Sequence, residues 1–143
     1  MIVNIHILNG PNLNLLGLRE PHLYGEVTFD EYLATLKAAY PAIKLQYIQS
    51  NHEGVLLDYL HAKGFEPNTG FVLNAGGLTH TSVSLRDAVA AITNPVVEVH
   101  ISNIYQREPF RWHSYLTAVC DAHFIGHGLE GYRLAIDHLL QRE

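Results

Sequence analysis

Pro95-Val96-Val97-Glu98-Val99-His100-Ile101-Ser102 is the stretch on which the reading of this chain turns. Its β-branched apolar residues favour a buried strand, yet two titratable groups interrupt it. Side chains two apart on a strand share a face, so Glu98, His100 and Ser102 are expected to project together. A carboxylate beside an imidazole can accept its N–H, fix its tautomer and raise its pKa. A half-buried edge strand with a solvated polar face would give the same pattern. That alternative stays open at this level.

Working outward, Phe71–Leu73 upstream reads as a strand, followed by the turn Asn74-Ala75-Gly76-Gly77. Thr81 or Ser82 can cap a helix running to Ile92, with Leu85, Val89 and Ile92 as its core stripe. Downstream, Tyr105–Cys120 has no readable period. Ala122–Ile125 is the expected partner strand, and Leu129–Gln141 a final helix with Tyr132, Ile136 and Leu139 inward. Towards the start, Ile2–Leu8 reads as a strand ending in the turn Asn9-Gly10-Pro11-Asn12. Asn4 and His6 interrupt the strand, and His6 reads as a satisfied core or flank histidine rather than a ligand. Thr28-Phe29-Asp30-Glu31 is a capping box for a helix that stops before Pro41. Leu45–Ile48 is a second strand. Ser50-Asn51-His52-Glu53 repeats the cap pattern and opens a helix to Lys63, closed by Gly64. Between Gly17 and Gly25 lies a proline-containing segment expected to act as a lid.

Strand and helix thus alternate about five times without repeats or a linker. The expectation is one α/β domain over residues 1–143: a flavodoxin-like, doubly wound parallel sheet of about five strands. In such sheets ligands bind beyond the carboxyl ends of the strands. Those ends hold Asn9–Asn12, Ser50 and Asn51, Asn74 with Gly76 and Gly77, and Glu98–Ser102.

Composition narrows the function. Hydrophobic content of 48% with 16% charged residues belongs to a folded chain rather than a disordered one. A net charge of −5 argues against nucleic-acid or anionic-membrane binding, which need basic excess. One cysteine, Cys120, excludes an internal disulfide and fits a reducing cytoplasm; with Asp121 beside it, it reads as a packed thiol. The first residues carry no signal-peptide pattern, and no apolar run reaches the roughly 20 residues of a membrane span.

Familiar site types fail on particular residues. The turn after the first strand is Asn-Gly-Pro-Asn, not a dinucleotide-binding glycine motif, and there is no Gly-Lys-Ser/Thr phosphate loop. His52-Glu53 starts like a zinc-protease helix, but Leu56 stands where the second ligand belongs. None of the ten histidines pairs with Cys or Asp at a defensible ligand spacing, so no metal is expected. A phosphoacceptor receiver needs acids where Asn9 and Asn12 stand.

Organic acid–base chemistry remains. His100 backed by Glu98 suits a general acid, and Asn12 and Asn74 suit holding a polarised oxygen or a water. Tyr24 lies between Arg19 and the later Arg107 and Arg111. Making a phenol a base at neutral pH costs about 3–4 kcal/mol, which guanidinium groups in a water-poor site can supply. Composition alone would favour Tyr24 as an aromatic anchor for the loop.

The segments Ile7–Gly17, Arg19-Glu20-Pro21 with Tyr24-Gly25, Gln49–Gly54, Thr79-His80-Thr81-Ser82 with Leu85-Arg86-Asp87, and Glu98–Asn103 together resemble the type II 3-dehydroquinate dehydratases. So do Arg107-Glu108-Pro109-Phe110-Arg111, His113-Ser114-Tyr115 and Gly131-Tyr132. The resemblance spans nearly the whole chain in one order. It implies dehydration of 3-dehydroquinate to 3-dehydroshikimate in the shikimate pathway, by anti elimination through an enolate, without a cofactor. It makes Tyr24 the base, Arg19 the support of its anion, and His100 the acid oriented by Glu98. The enolate is held through a water near Asn12. Asn74, Ile101 and Ser102 hold the substrate carboxylate, while His80 and Arg111 meet the ring hydroxyls. Asp87 is implied to reach the site of a neighbouring subunit, in trimers assembled into a dodecamer. Two positions depart from the family pattern: Ile48, often arginine, and Leu78, commonly aromatic. The competing reading is a catalytically inactive flavodoxin-like module that binds a small anion or a flavin.

Overall fold

The computed structural model describes residues 1–142 except Arg19, Pro21, Leu23, Tyr24 and Gly25. Among the described residues, five strands alternate with four helices: β1 (Asn4–Asn9), α1 (Phe29–Ala39), β2 (Lys44–Gln49), α2 (Glu53–Lys63), β3 (Thr69–Asn74), α3 (Val83–Ala91), β4 (Val96–His100), β5 (Ala122–Ile125) and α4 (Glu130–Gln141). The strands form one parallel sheet in the order β2-β1-β3-β4-β5. This is the flavodoxin-like order in a single domain, as the alternation predicts.

Strand alternation divides the core in two. Ile5, Ile7, Val72, Val97 and Val99 pack with Phe29, Leu33 and Leu36 of α1 and Tyr132, Ile136 and Leu139 of α4. Leu8, Phe71, Leu73 and Val96 pack with Leu56 and Leu60 of α2 and Leu85 and Val89 of α3 on the other face. Both faces are therefore sealed, and β4 lies inside the sheet with every residue buried. The solvated-edge reading of Glu98 and His100 is thereby corrected: β4 is an interior strand of a sheet covered by helices on both faces. Ile48 and Leu78, the two departures from the family pattern, both pack against the α2–α3 core.

Helix starts follow the caps in part. Thr28 accepts from the Glu31 N–H, and Ser82 accepts from the Leu85 N–H at 2.8 Å. The cap expected at Ser50 is displaced. α2 starts from His52 without a side-chain cap, and Ser50 Oγ instead accepts from the His52 N–H at 3.0 Å. Gly64 closes α2 in ordinary right-handed conformation; a Cβ there would meet the Ile92 side chain at 2.3 Å, so space rather than handedness demands glycine. The segment without a period, Tyr105–Cys120, is irregular, with 3₁₀ turns at Ile104–Gln106, Pro109–Arg111 and Thr117–Val119. Among the described residues no helix is long and apolar enough to cross a membrane.

Candidate active site

The carboxyl ends of β1, β3 and β4 open into one cleft. Asn12, Asn74, His80, His100, Ile101, Ser102 and Arg111 line it, together with Gly76, Gly77 and Arg107. Seven of the residues singled out from sequence are thus brought together by loops far apart in the chain. The loops after β1 and β3 nearly touch: a Cβ on Gly10 would sit 2.4 Å from the Ala75 carbonyl oxygen. Asn12, with φ of 70°, donates its backbone N–H to Asn51 Oδ1 at 3.0 Å, which ties the first loop to the turn after β2.

At the base of the cleft, His100 Nε2 lies 2.6 Å from Glu98 Oε2. Glu98 is wholly buried and His100 nearly so. Ser114 Oγ donates to the same carboxylate oxygen at 2.6 Å, and Thr117 Oγ1 donates to Oε1 at 2.5 Å. Burial pushes the Glu98 carboxyl up, but the His100 hydrogen bond and charge, then Ser114 and Thr117, outweigh it and hold it below the usual range. An ionised carboxylate can only accept, so His100 carries a proton on Nε2. Nδ1 is left as the ring nitrogen for a molecule in the cleft.

His80 stacks near His100, ring centroids 6.3 Å apart. Its Nδ1 donates to the His113 carbonyl at 2.7 Å, which leaves Nε2 as an acceptor. Burial lowers its pKa, so the ring is a neutral hydrogen-bonding group. Ser102 accepts from Arg107 Nη1 at 3.2 Å, and Arg111 Nε pairs with Glu108 Oε1 at 2.8 Å. The floor is equally ordered. Tyr132 Oη donates to Asn9 Oδ1 at 2.7 Å and accepts from Asn74 Nδ2 at 2.9 Å, while Asn74 Oδ1 accepts from the Gly76 N–H. The Asn74 amide is therefore locked before any ligand arrives.

Other expectations fall elsewhere. Tyr24 and Arg19, and with them most of the expected lid at 17–25, lie outside the described residues. Asp87 is exposed on α3, paired with Arg86 at 3.3 Å and not part of the cleft. Cys120 is a packed thiol whose pKa burial raises, reinforced by Glu98 and Asp121. Among the described residues no group of three or more His, Cys, Asp and Glu gathers as a metal site.

Sequence reasoning missed Ser114 and Thr117 as partners of Glu98. They sit in the segment without a period, where only the small hydroxyl side chains themselves gave a signal. Arg107, read only as a basic neighbour of Tyr24, lines the cleft. Tyr132, read as core, is core and also carries the hydroxyl that joins Asn9 to Asn74.

The family model for class II dehydroquinases matches residues 3–140. The 3-dehydroquinate dehydratase of Herminiimonas arsenicoxydans is 51% identical, with 99% of each chain covered. The type II dehydroquinase of Butyrivibrio crossotus superposes with a TM-score of 0.91 at 40% identity, covering 98% of this chain and 99% of that one. That of Propionibacterium acnes gives 0.92 at 35% identity, covering 99% of each. With a full-length match in sequence and fold, and a buried histidine–glutamate pair at the base of its cleft, the chain belongs to the class II dehydroquinase family.

Proposed function

We propose that this protein is a hydro-lyase that dehydrates 3-dehydroquinate to 3-dehydroshikimate, a shikimate-pathway step, in the cleft at the ends of β1, β3 and β4. The observation that carries this reading is the His100–Glu98 pair at the base of that cleft in a chain matched end to end by the family. Tyr24 as phenolate, supported by Arg19, takes the proton alpha to the ketone, and the electron pair moves into an enolate. A water near Asn12 holds the enolate oxygen. The enolate then collapses, the carbon–oxygen bond on the opposite side breaks, and His100, carrying a second proton on Nδ1 when substrate is bound, gives that proton to the departing hydroxyl, which leaves as water, while Nε2–H stays on Glu98. Such an elimination needs a base, an acid and hydrogen bonds to the enolate, and no cofactor.

The substrate carboxylate is received by Ile101 and Ser102 with Asn74, and the ring hydroxyls by His80 Nε2 and Arg111. Asp87, exposed on its own subunit, serves the cleft of a neighbouring copy, which requires an oligomer and fits the trimers assembled into a dodecamer that the family resemblance implies. A reducing, cytoplasmic setting suits the single packed cysteine. The test is direct: purified protein mixed with 3-dehydroquinate should generate the ultraviolet absorbance of a conjugated enone. A yellow protein with bound flavin and no turnover would overturn the proposal in favour of a binding module.

A further inference from the structure

Ser114 and Thr117 come from the one stretch without a sequence pattern, and both end on the carboxylate behind His100. Ser114 Oγ accepts from the Leu116 N–H at 3.1 Å and the Thr117 N–H at 3.3 Å. With both lone pairs engaged, its own proton can only be given away, and Glu98 Oε2 receives it at 2.6 Å. Thr117 Oγ1 takes Oε1 at 2.5 Å. The carboxylate is thus gripped at both oxygens, and His100 Nε2 must approach Oε2 along the one direction left. Around the pair stand His80, Arg107 and Arg111 in the cleft, Cys120 close enough to feel the Glu98 charge, and His123 at the β5 register position opposite Glu98.

We propose that Ser114 and Thr117 are positioning residues for the dehydration: their hydroxyls fix the Glu98 carboxylate so that His100 keeps its proton on Nε2 and turns Nδ1 to the substrate. The inference rests on the dehydratase reading of the cleft. The two hydroxyls act on proton delivery to the leaving group rather than on substrate affinity. A buried carboxylate that loses such a donor can rotate, and the imidazole rotates with it.

The experiment compares Ser114→Ala, Thr117→Val, their double variant and Thr117→Ser, with folding checked by thermal melting. Each single loss should lower kcat about tenfold while KM stays within about twofold, and Thr117→Ser, which returns the hydroxyl, should recover most of the loss. In nitrogen-15 histidine spectra, the His100 Nε2–H signal should be sharp and far downfield in the wild type and broadened or lost in the double variant. Should the double variant fail to fold, the single variants carry the same comparison. Unchanged kcat with an intact Nε2–H signal would overturn the inference, as would a Thr117→Ser variant as impaired as Thr117→Val. If the wild type shows no turnover, the dehydratase reading fails by itself. The histidine spectra then still decide whether the hydroxyls fix the ring.

Discussion

Two histidines are buried in this sheet, each beside a glutamate, and they are built for opposite ends. His6, on β1, is wholly buried and has both ring nitrogens occupied: Nδ1 by Tyr59 Oη at 2.6 Å and Nε2 by Glu66 Oε1 at 3.1 Å. It stacks on Phe71, ring centroids 5.1 Å apart. Its glutamate is over a third exposed, so burial dominates and lowers the His6 pKa. His100, on β4, has one nitrogen bound to a fully buried carboxylate and the other left for the cleft. A histidine with both nitrogens used inside the protein is structure. One with a single nitrogen used, and that one on a fixed carboxylate, is a reagent.

Alanine substitution should separate the two most sharply. His100→Ala should lower kcat by about 10²–10⁴ and, because it takes the main partner from the buried Glu98 carboxylate, also lower the melting temperature. His6→Ala should leave kcat within about twofold yet cost roughly 3 kcal/mol of stability, from the cavity and the stranded Tyr59 hydroxyl. Equal effects on kcat would break the distinction. Glu98→Gln keeps the shape but removes the charge that holds His100, so kcat should fall about tenfold or more with a smaller change in KM.

Stability against pH sharpens the contrast further. His6 and His80 have folded pKa values below 6.5, so the fold favours their neutral forms. Their contribution is complete above 6.5 and is lost as pH falls through the folded values. Glu98 is also lowered, from 4.5, so its contribution is complete above about 4.5 and erodes only below that. Chemical denaturation from pH 8 to pH 3 should therefore show stability falling as pH drops below about 6.5, with a further loss setting in below about 4.5, and His6→Phe should diminish the earlier loss. The smallest effect is expected at Asp87. Asp87→Ala should raise KM a few-fold in an assembled enzyme; a monomer with full activity by light scattering and turnover would refute the shared site.

The same contrast explains what could be read without coordinates. Glu98 and His100 were legible because a two-residue period on a strand fixes which side chains share a face, and β4 obeys it. His6 reads as a core or flank histidine that interrupts its strand's pattern, and burial in the structure makes it core. Helix α1 followed from its capping box, since Thr28 and Glu31 are neighbours in sequence. The donors to Glu98 were not legible, because Ser114 and Thr117 lie 16 and 19 residues away and are delivered by turns that have no repeat. Nor could the Asn9–Tyr132–Asn74 chain be read, as its members are brought together only when α4 packs on the sheet. The displaced start of α2 has a similar cause. Ser50 Oγ takes the His52 N–H, two residues on, which lies before the helix rather than in its first turn.

The most direct test of His100 as the proton donor is to incubate His100→Ala with 3-dehydroquinate in deuterated water and follow the substrate by NMR. The base is untouched in this variant and only delivery to the leaving hydroxyl is missing. Deuterium should therefore enter the carbon alpha to the ketone while no 3-dehydroshikimate forms. Product formation at the wild-type rate would contradict the account, because the leaving group would then not need this imidazole.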